Sequence, residues 1–406
     1  MVERMRRRPG AWARCAVLAA GASAVVVGCT SPGPGRTPQV ATASATPSAT
    51  TAPPSPTPSG APTPSVEPTP PVAPGPALPD ATAEPQDVLT GLTTPWDLAF
   101  LPGGAVVVTL RDPAQVLLLT ADGVRTLTGP GADQLVATTA TRGEGGLLGV
   151  AVPPDAATLV LYRTTDGGNE VVRAALDPVA ATLGALEPLL TGIPAASNHD
   201  GGRIAFGPDG LLYVATGDAS IPGAAQDPAS LAGKILRVTP EGQPAPGNPT
   251  PGSPVWSLGH RNVQGLGWDD DGRLVASEFG QNRLDELNVV VPGANHGWPE
   301  VEGAGGAPAF ADPVVTWTTD EASPSGLAVA GGSVYVAALR GERLWEVPWA
   351  DGAPAGEPVP HLVGALGRLR HVAVGPDGAL WVLTSNTDGR GDVRAGDDRL
   401  VRLLPP

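Results

Sequence analysis

An all-β fold, a six-bladed β-propeller, is predicted by three observations. Glycine and proline are abundant, 54 and 48 in 406 residues, helical periodicity is scarce, and turn signals recur about every ten residues. Six segments repeat one plan, an apolar strand, a turn and a second apolar strand: 96–108, 146–161, 202–214, 265–276, 326–336 and 369–382. Their turns, at Gly104, Ala156, Gly210, Gly272, Gly332 and Gly378, lie roughly 45 to 60 residues apart, in or slightly above the range of propeller blades. A β-sandwich with accidentally similar hairpins is the competing architecture. Six matches to one turn plan weigh against it.

Residues 1–28 come first, with arginine at positions 4, 6, 7 and 8, an apolar run over about 11–27, and then Gly28-Cys29. A basic start followed by an apolar stretch reads as a secretory signal. Val26-Val27-Gly28-Cys29 resembles the lipobox of bacterial lipoproteins, in which Cys29 becomes the lipidated N-terminus. The alternative is an uncleaved anchor helix, short of the ~20 apolar residues of a typical span. Residues 29–83 are rich in Pro, Ala, Thr and Ser and carry too few large apolar side chains to form a core. They read as a tether; about fifty residues of polyproline II reach at most roughly 150 Å. The expected location is outside the cell membrane, on its outer face, held by the lipid alone.

The folded part is expected over 84–406. Cys15 and Cys29 are the only cysteines, so no disulfide staples it. A net charge of −15 without any basic stripe argues against nucleic acid or an acidic membrane surface as partner. The stretch 226–254 between the third and fourth hairpins reads as a long loop on one face.

In a propeller the innermost strands surround a central channel, so the residues that precede them converge at one end. Here those positions hold Trp96-Asp97, Glu144, Asn198-His199, Arg261-Asn262, Ser323, and Arg368 with Arg370. His199 is the candidate general base, since an unperturbed imidazole titrates near ~6.5. The arginines offer planar donor forks for an anionic ligand. His260 and His296 read as structural, and no His/Cys cluster has zinc spacing. The oxygen-rich stretch from Glu278 to Asn288 suits a hard cation such as calcium, without the regular spacing of an EF-hand.

Several of these motifs, in fixed order, resemble the soluble quinoprotein glucose/sorbosone dehydrogenase family, also called PQQ-dependent aldose sugar dehydrogenases. They are Gly143–Gly149, His199–Arg203, Gly259–Gly265, Glu278–Asn288, Asn295–Pro299 and Thr384–Gly391. The resemblance runs from about Gly91 to the C-terminus. It implies oxidation of an aldose at C1 to the lactone, with hydride passing to pyrroloquinoline quinone (PQQ) and onward to an external quinone or cytochrome. By resemblance His199 is the base, Arg261 lies near the reactive quinone oxygens, and Asn262 touches the cofactor. Arg368 and Arg370 bind its carboxylates, Arg340 replaces a lysine, and backbone oxygens of Gly280 and Gln281 hold calcium. The chain departs from the pattern at Glu144, where a cofactor-contacting glutamine is replaced, at Gln281 and Val263, which replace prolines, and at Asn198, which replaces an acid that some members carry beside the base. A carboxylate at position 144 repels an anionic cofactor unless it is protonated or paired.

Two other readings compete. A calcium-dependent lactonase on the same fold would draw side-chain ligands from Asp97, Glu144 and Asn262, and a binding propeller for glycan or protein would need no base. Sugar specificity is expected in loops at the mouth, with Trp317 as a stacking surface.

Overall fold

The computed structural model describes residues 78–403; the signal, Cys29 and most of the tether lie outside the described residues. Alternating apolar positions between turn residues produce six antiparallel sheets in a ring. Each of the six anticipated hairpins forms the two inner strands of one blade. Blade 1 starts at Pro95–Phe100 and Val106–Leu110, blade 2 at Leu147–Ala151 and Thr158–Thr165, and blade 3 at Ile204–Phe206 and Leu212–Ala215. Blade 4 starts at Val263–Trp268 and Leu274–Glu278, blade 5 at Pro324–Ala330 and Ser333–Ala338, and blade 6 at Leu369–Val374 and Leu380–Thr384.

The ring closes with a strand from the beginning of the folded part. Pro85–Leu89 pairs antiparallel with Leu400–Leu403 as the outermost strand of blade 6. A sheet built from both ends of the domain leaves no seam where blades can slip apart.

Local turn chemistry positions the hairpins. In Gly207-Pro208-Asp209-Gly210 the last glycine takes φ +74°, its N–H donates to Gly207 O at 2.9 Å, and Asp209 Oδ1 accepts from Leu211 N at 3.1 Å. Blade 6 repeats this with Gly378 at φ +82° and Asp377 Oδ1 accepting from Ala379 N at 3.2 Å. Only glycine adopts such φ values freely.

Packing follows the blade boundaries. Each of the six buried apolar clusters spans a boundary between neighbouring blades, Val107 and Leu118 meeting Leu147 and Leu159 between blades 1 and 2. The core is therefore a ring of interfaces around the channel, and the channel can carry polar chemistry.

Two expectations are corrected. Residues 226–254 are not one loop: Lys234–Val238 forms the third strand of blade 3. This strand starts with the chain's only lysine, whose Nζ donates to Ala224 O, Ala225 O and Ala232 O at 2.8, 2.9 and 2.7 Å. Lys234→Met leaves those carbonyls short of a donor, and urea unfolding should show a loss of about 2 kcal/mol or more. Trp317 does not line the mouth. It lies on the outer strand of blade 4, Val315–Thr318, 5% exposed and stacked on Trp345 of blade 5 with centroids 5.8 Å apart. Alternation along that strand points the indole into the blade 4–5 interface, where an apolar surface of that size is most stably buried.

Candidate active site

Antiparallel strands return the chain to the end where it started, so two sets of loops meet at one mouth of the ring. One set precedes each innermost strand; the other joins the second strand of a blade to its third. Between them lies a cavity of about 470 Å³. The first set brings Glu144, His199, Arg261, Arg368 and Arg370, and the second brings Arg111, Gly280, Gln281, Arg340 and Arg390. Six arginines thus line one pocket among the described residues.

His199 sits at φ +62° with Nδ1 2.7 Å from Asp218 Oδ1. Asp218 is fully buried and follows the second strand of blade 3. Its Oδ2 accepts from Trp298 Nε1 at 2.8 Å, and its Oδ1 also accepts from Ser220 N at 2.8 Å. Burial works to raise the Asp218 pKa, but the hydrogen bond and charge of His199, with Trp298 and Ser220, hold it below the usual carboxylate range. An ionised Asp218 fixes the ring tautomer with the proton on Nδ1, leaving Nε2 as the lone-pair nitrogen.

The arginines are braced from behind. Arg370 Nη1 donates to Gln264 Oε1 at 2.8 Å, and Arg368 donates through Nε to Ser385 O at 3.1 Å and through Nη2 to Asp388 Oδ2 at 3.2 Å. Burial would raise the Asp388 pKa, but the charges of Arg368 and Arg370 outweigh it and hold the group low. A depressed carboxylate contributes stability above about pH 4 that is lost as pH falls through its folded-state value. Urea midpoints between pH 3 and 7 should therefore fall less steeply on the acid side in Asp388→Asn than in wild type.

Arg261 Nη1 donates to Gly280 O at 2.6 Å and to Phe279 O at 3.3 Å. Arg340 pairs with Asp320 at 2.7 Å on the exposed rim. Asn262 is fully buried and does not line the cavity; its Oδ1 accepts from Gly201 N at 3.0 Å and braces the turn behind His199. His260 and His296 stack in the interior, centroids 4.6 Å apart, and burial pushes the His260 pKa down to about 3, with Lys234 adding to the shift.

Arg261 Nε, Arg370 Nε and Asn262 Nδ2 are buried without a protein partner among the described residues. The two arginine donors, cationic and beside the cavity, fit an oxygen-rich anion. Among the described residues no group of three or more His, Cys, Asp or Glu side chains is arranged for a metal. Gly280 and Gln281 line the cavity, but Gly280 O already accepts from Arg261 Nη1, so a hard cation there would need the second lone pair of that oxygen together with oxygens that a cofactor brings.

Asp218, Arg111, Arg390, Asp388 and Gln264 escaped the sequence reading as site residues. Asp218 stands just after the second strand of the 202–214 hairpin, in the second of the two sets of loops that meet at the mouth.

Fold and cavity together define a six-bladed propeller with a hydrogen-bonded histidine–aspartate pair and a cationic pocket at one mouth. The chain belongs to the Glucose / Sorbosone dehydrogenase family, whose profile matches residues 92–401. It is 51% identical to the PQQ-bound aldose sugar dehydrogenase of Streptomyces coelicolor, covering 80% of this chain and 98% of that one with a TM-score of 0.74. It is 28% identical to the aldose sugar dehydrogenase YliI of Escherichia coli over 76% of this chain and 92% of the relative. Quinoprotein glucose dehydrogenase B of Acinetobacter calcoaceticus is 30% identical over 53% of this chain and 52% of its own length.

Proposed function

We propose that this chain oxidises aldose sugars at C1 to lactones outside the cell, using PQQ and calcium and handing the electrons to an external acceptor. The observation that carries the reading is the His199–Asp218 pair opening onto a pocket lined by six arginines. When bound, PQQ supplies a quinone that accepts hydride from the sugar, and calcium supplies a Lewis acid that polarises it.

The chain's own residues do the rest. His199 Nε2 takes the proton of the C1 hydroxyl, and Asp218 stabilises the imidazolium that forms. Arg368 and Arg370 would hold carboxylates of the cofactor, and Arg261, in the same lining, would reach its oxygens. Gly280 and Gln281 would hold calcium through backbone oxygens. The lactonase alternative loses its ligands to other work: Asp97 pairs with Arg203, Glu144 accepts from His199 N, and Asn262 accepts from Gly201 N.

The test is titration of PQQ into the purified protein with calcium present, followed by dye reduction on adding a panel of aldoses. Saturable binding and sugar-dependent reduction are expected; absence of binding at micromolar PQQ would favour a binding propeller. The proposed location includes lipid attachment at Cys29, and metabolic labelling with a fatty-acid analogue should label wild type but not Cys29→Ala.

A further inference from the structure

We propose that Glu144 is a positioning residue for His199, holding the backbone of the base in place rather than binding ligand; this rests on the dehydrogenase reading above. The loop that leads into blade 2 and the loop that leads into blade 3 clasp each other through two opposed hydrogen bonds. Glu144 N–H donates to Ser197 O at 3.0 Å, and His199 N–H donates to Glu144 Oε2 at 2.9 Å. Glycine at 143 permits the approach, because a Cβ there would stand 1.9 Å from Ser197 O.

The other side of His199 is tied as well. Ala219 N–H donates to His199 O at 3.2 Å, and a Cβ on Gly217 would stand 1.8 Å from that oxygen. With φ at +62°, His199 occupies left-handed backbone that a non-glycine residue keeps only where its surroundings over-determine it. The division of labour is geometric: Asp218 sets how the ring turns, and Glu144 sets where the ring stands.

One carboxylate oxygen is hydrogen-bonded within the protein and the other faces an arginine. Oε2 accepts from His199 N–H, and Oε1 faces Arg390 Nη2 at 3.7 Å, while Arg390 Nη1 faces Asp388 at 3.8 Å. A carboxylate engaged in this way is screened from an anionic ligand. Glutamine at 144 would keep the acceptor and lose the charge, aspartate would keep the charge and lose the reach, and leucine would lose both.

These variants separate the possibilities in the full-length protein, with PQQ affinity read by titration, kcat and KM read on the loaded enzyme, and folding followed by thermal denaturation. Glu144→Leu and Glu144→Asp are expected to lower kcat about 10–100-fold, the scale of a displaced catalytic group. PQQ affinity and sugar KM should stay within about threefold, and Glu144→Gln should recover most of the lost turnover. Should Glu144→Leu fail to fold, Glu144→Asp carries the test. A change in PQQ affinity with kcat intact would overturn the inference: a loss would make Glu144 a ligand contact, and a gain would make it a repulsive carboxylate. Full turnover in Glu144→Asp overturns it too. Absence of PQQ binding in wild type overturns the functional reading and this inference together, whereas unchanged kcat in both variants of a binding-competent protein overturns this inference alone.

Discussion

His199→Ala is expected to lower kcat for aldose oxidation about 10²–10⁴-fold, the usual contribution of a general base, while PQQ affinity stays within a few-fold. The imidazole touches the cavity with Nε2 free and Nδ1 engaged at 2.7 Å by Asp218, so its removal deletes a proton acceptor without touching the arginines that hold an anion. Asp218→Asn probes the same device differently. An amide can present its NH₂ to Nδ1 and so favour the tautomer with the proton on Nε2, the nitrogen that must be free. A loss of similar order is expected, with a modest drop in thermal midpoint, because the amide oxygen still accepts from Trp298 Nε1 while Ser220 N loses the acceptor it shares with Nδ1. Stopped-flow reduction of the loaded enzyme by sugar separates this chemical step from reoxidation; wild-type reduction rates in both variants would remove His199 from the mechanism.

Replacing Arg368 and Arg370 by methionine is expected to weaken PQQ binding by at least about 100-fold, with a smaller loss for either single change. A hydrogen bond to a charged group contributes about 1.5–3 kcal/mol, and about 1.4 kcal/mol is tenfold in affinity. Arg370 carries the greater expectation. It is buried, and although burial pushes its pKa down to about 9 against the charge of Asp388, it stays cationic at neutral pH. Its Nη1 is braced by Gln264 and Ser325, so the fork is aimed before any ligand arrives and little side-chain freedom is lost on binding. Equilibrium titration with calcium present measures the affinity. Unaltered binding in the double variant would mean that the anion is held elsewhere in the cavity.

Much of the architecture is legible in the sequence because it depends on neighbours along the chain. Gly-Pro-Asp-Gly at 207–210 and 375–378 makes the same turn in two blades, and alternation on either side defines two strands wherever it occurs. The third strand of blade 3 is harder to see, because Lys234–Val238 is five residues flanked by turn formers, and its starting lysine is buried against carbonyls of the segment just before it. Trp317 misled for a related reason: an aromatic residue suits a sugar-binding rim and a blade interface equally well, and only the register of Val315–Thr318 against Leu284–Val290 points it inward.

The site divides in the same way. His199, Arg261, Arg368 and Arg370 were found because they stand at the repeat position that leads into an innermost strand. By itself the sequence determined the number of blades and the cationic, histidine-bearing character of one mouth, since turn chemistry, strand alternation and repeat spacing are local properties that tertiary contacts do not overrule. Only the tertiary structure decided which groups complete that mouth: Asp218 on the His199 ring, Glu144 clasping the His199 backbone, Asp388 paired with two arginines. Antiparallel strands bring loops from different blades to one end, and hydrogen-bond partners there are selected by position in space and burial, which separation along the chain does not encode.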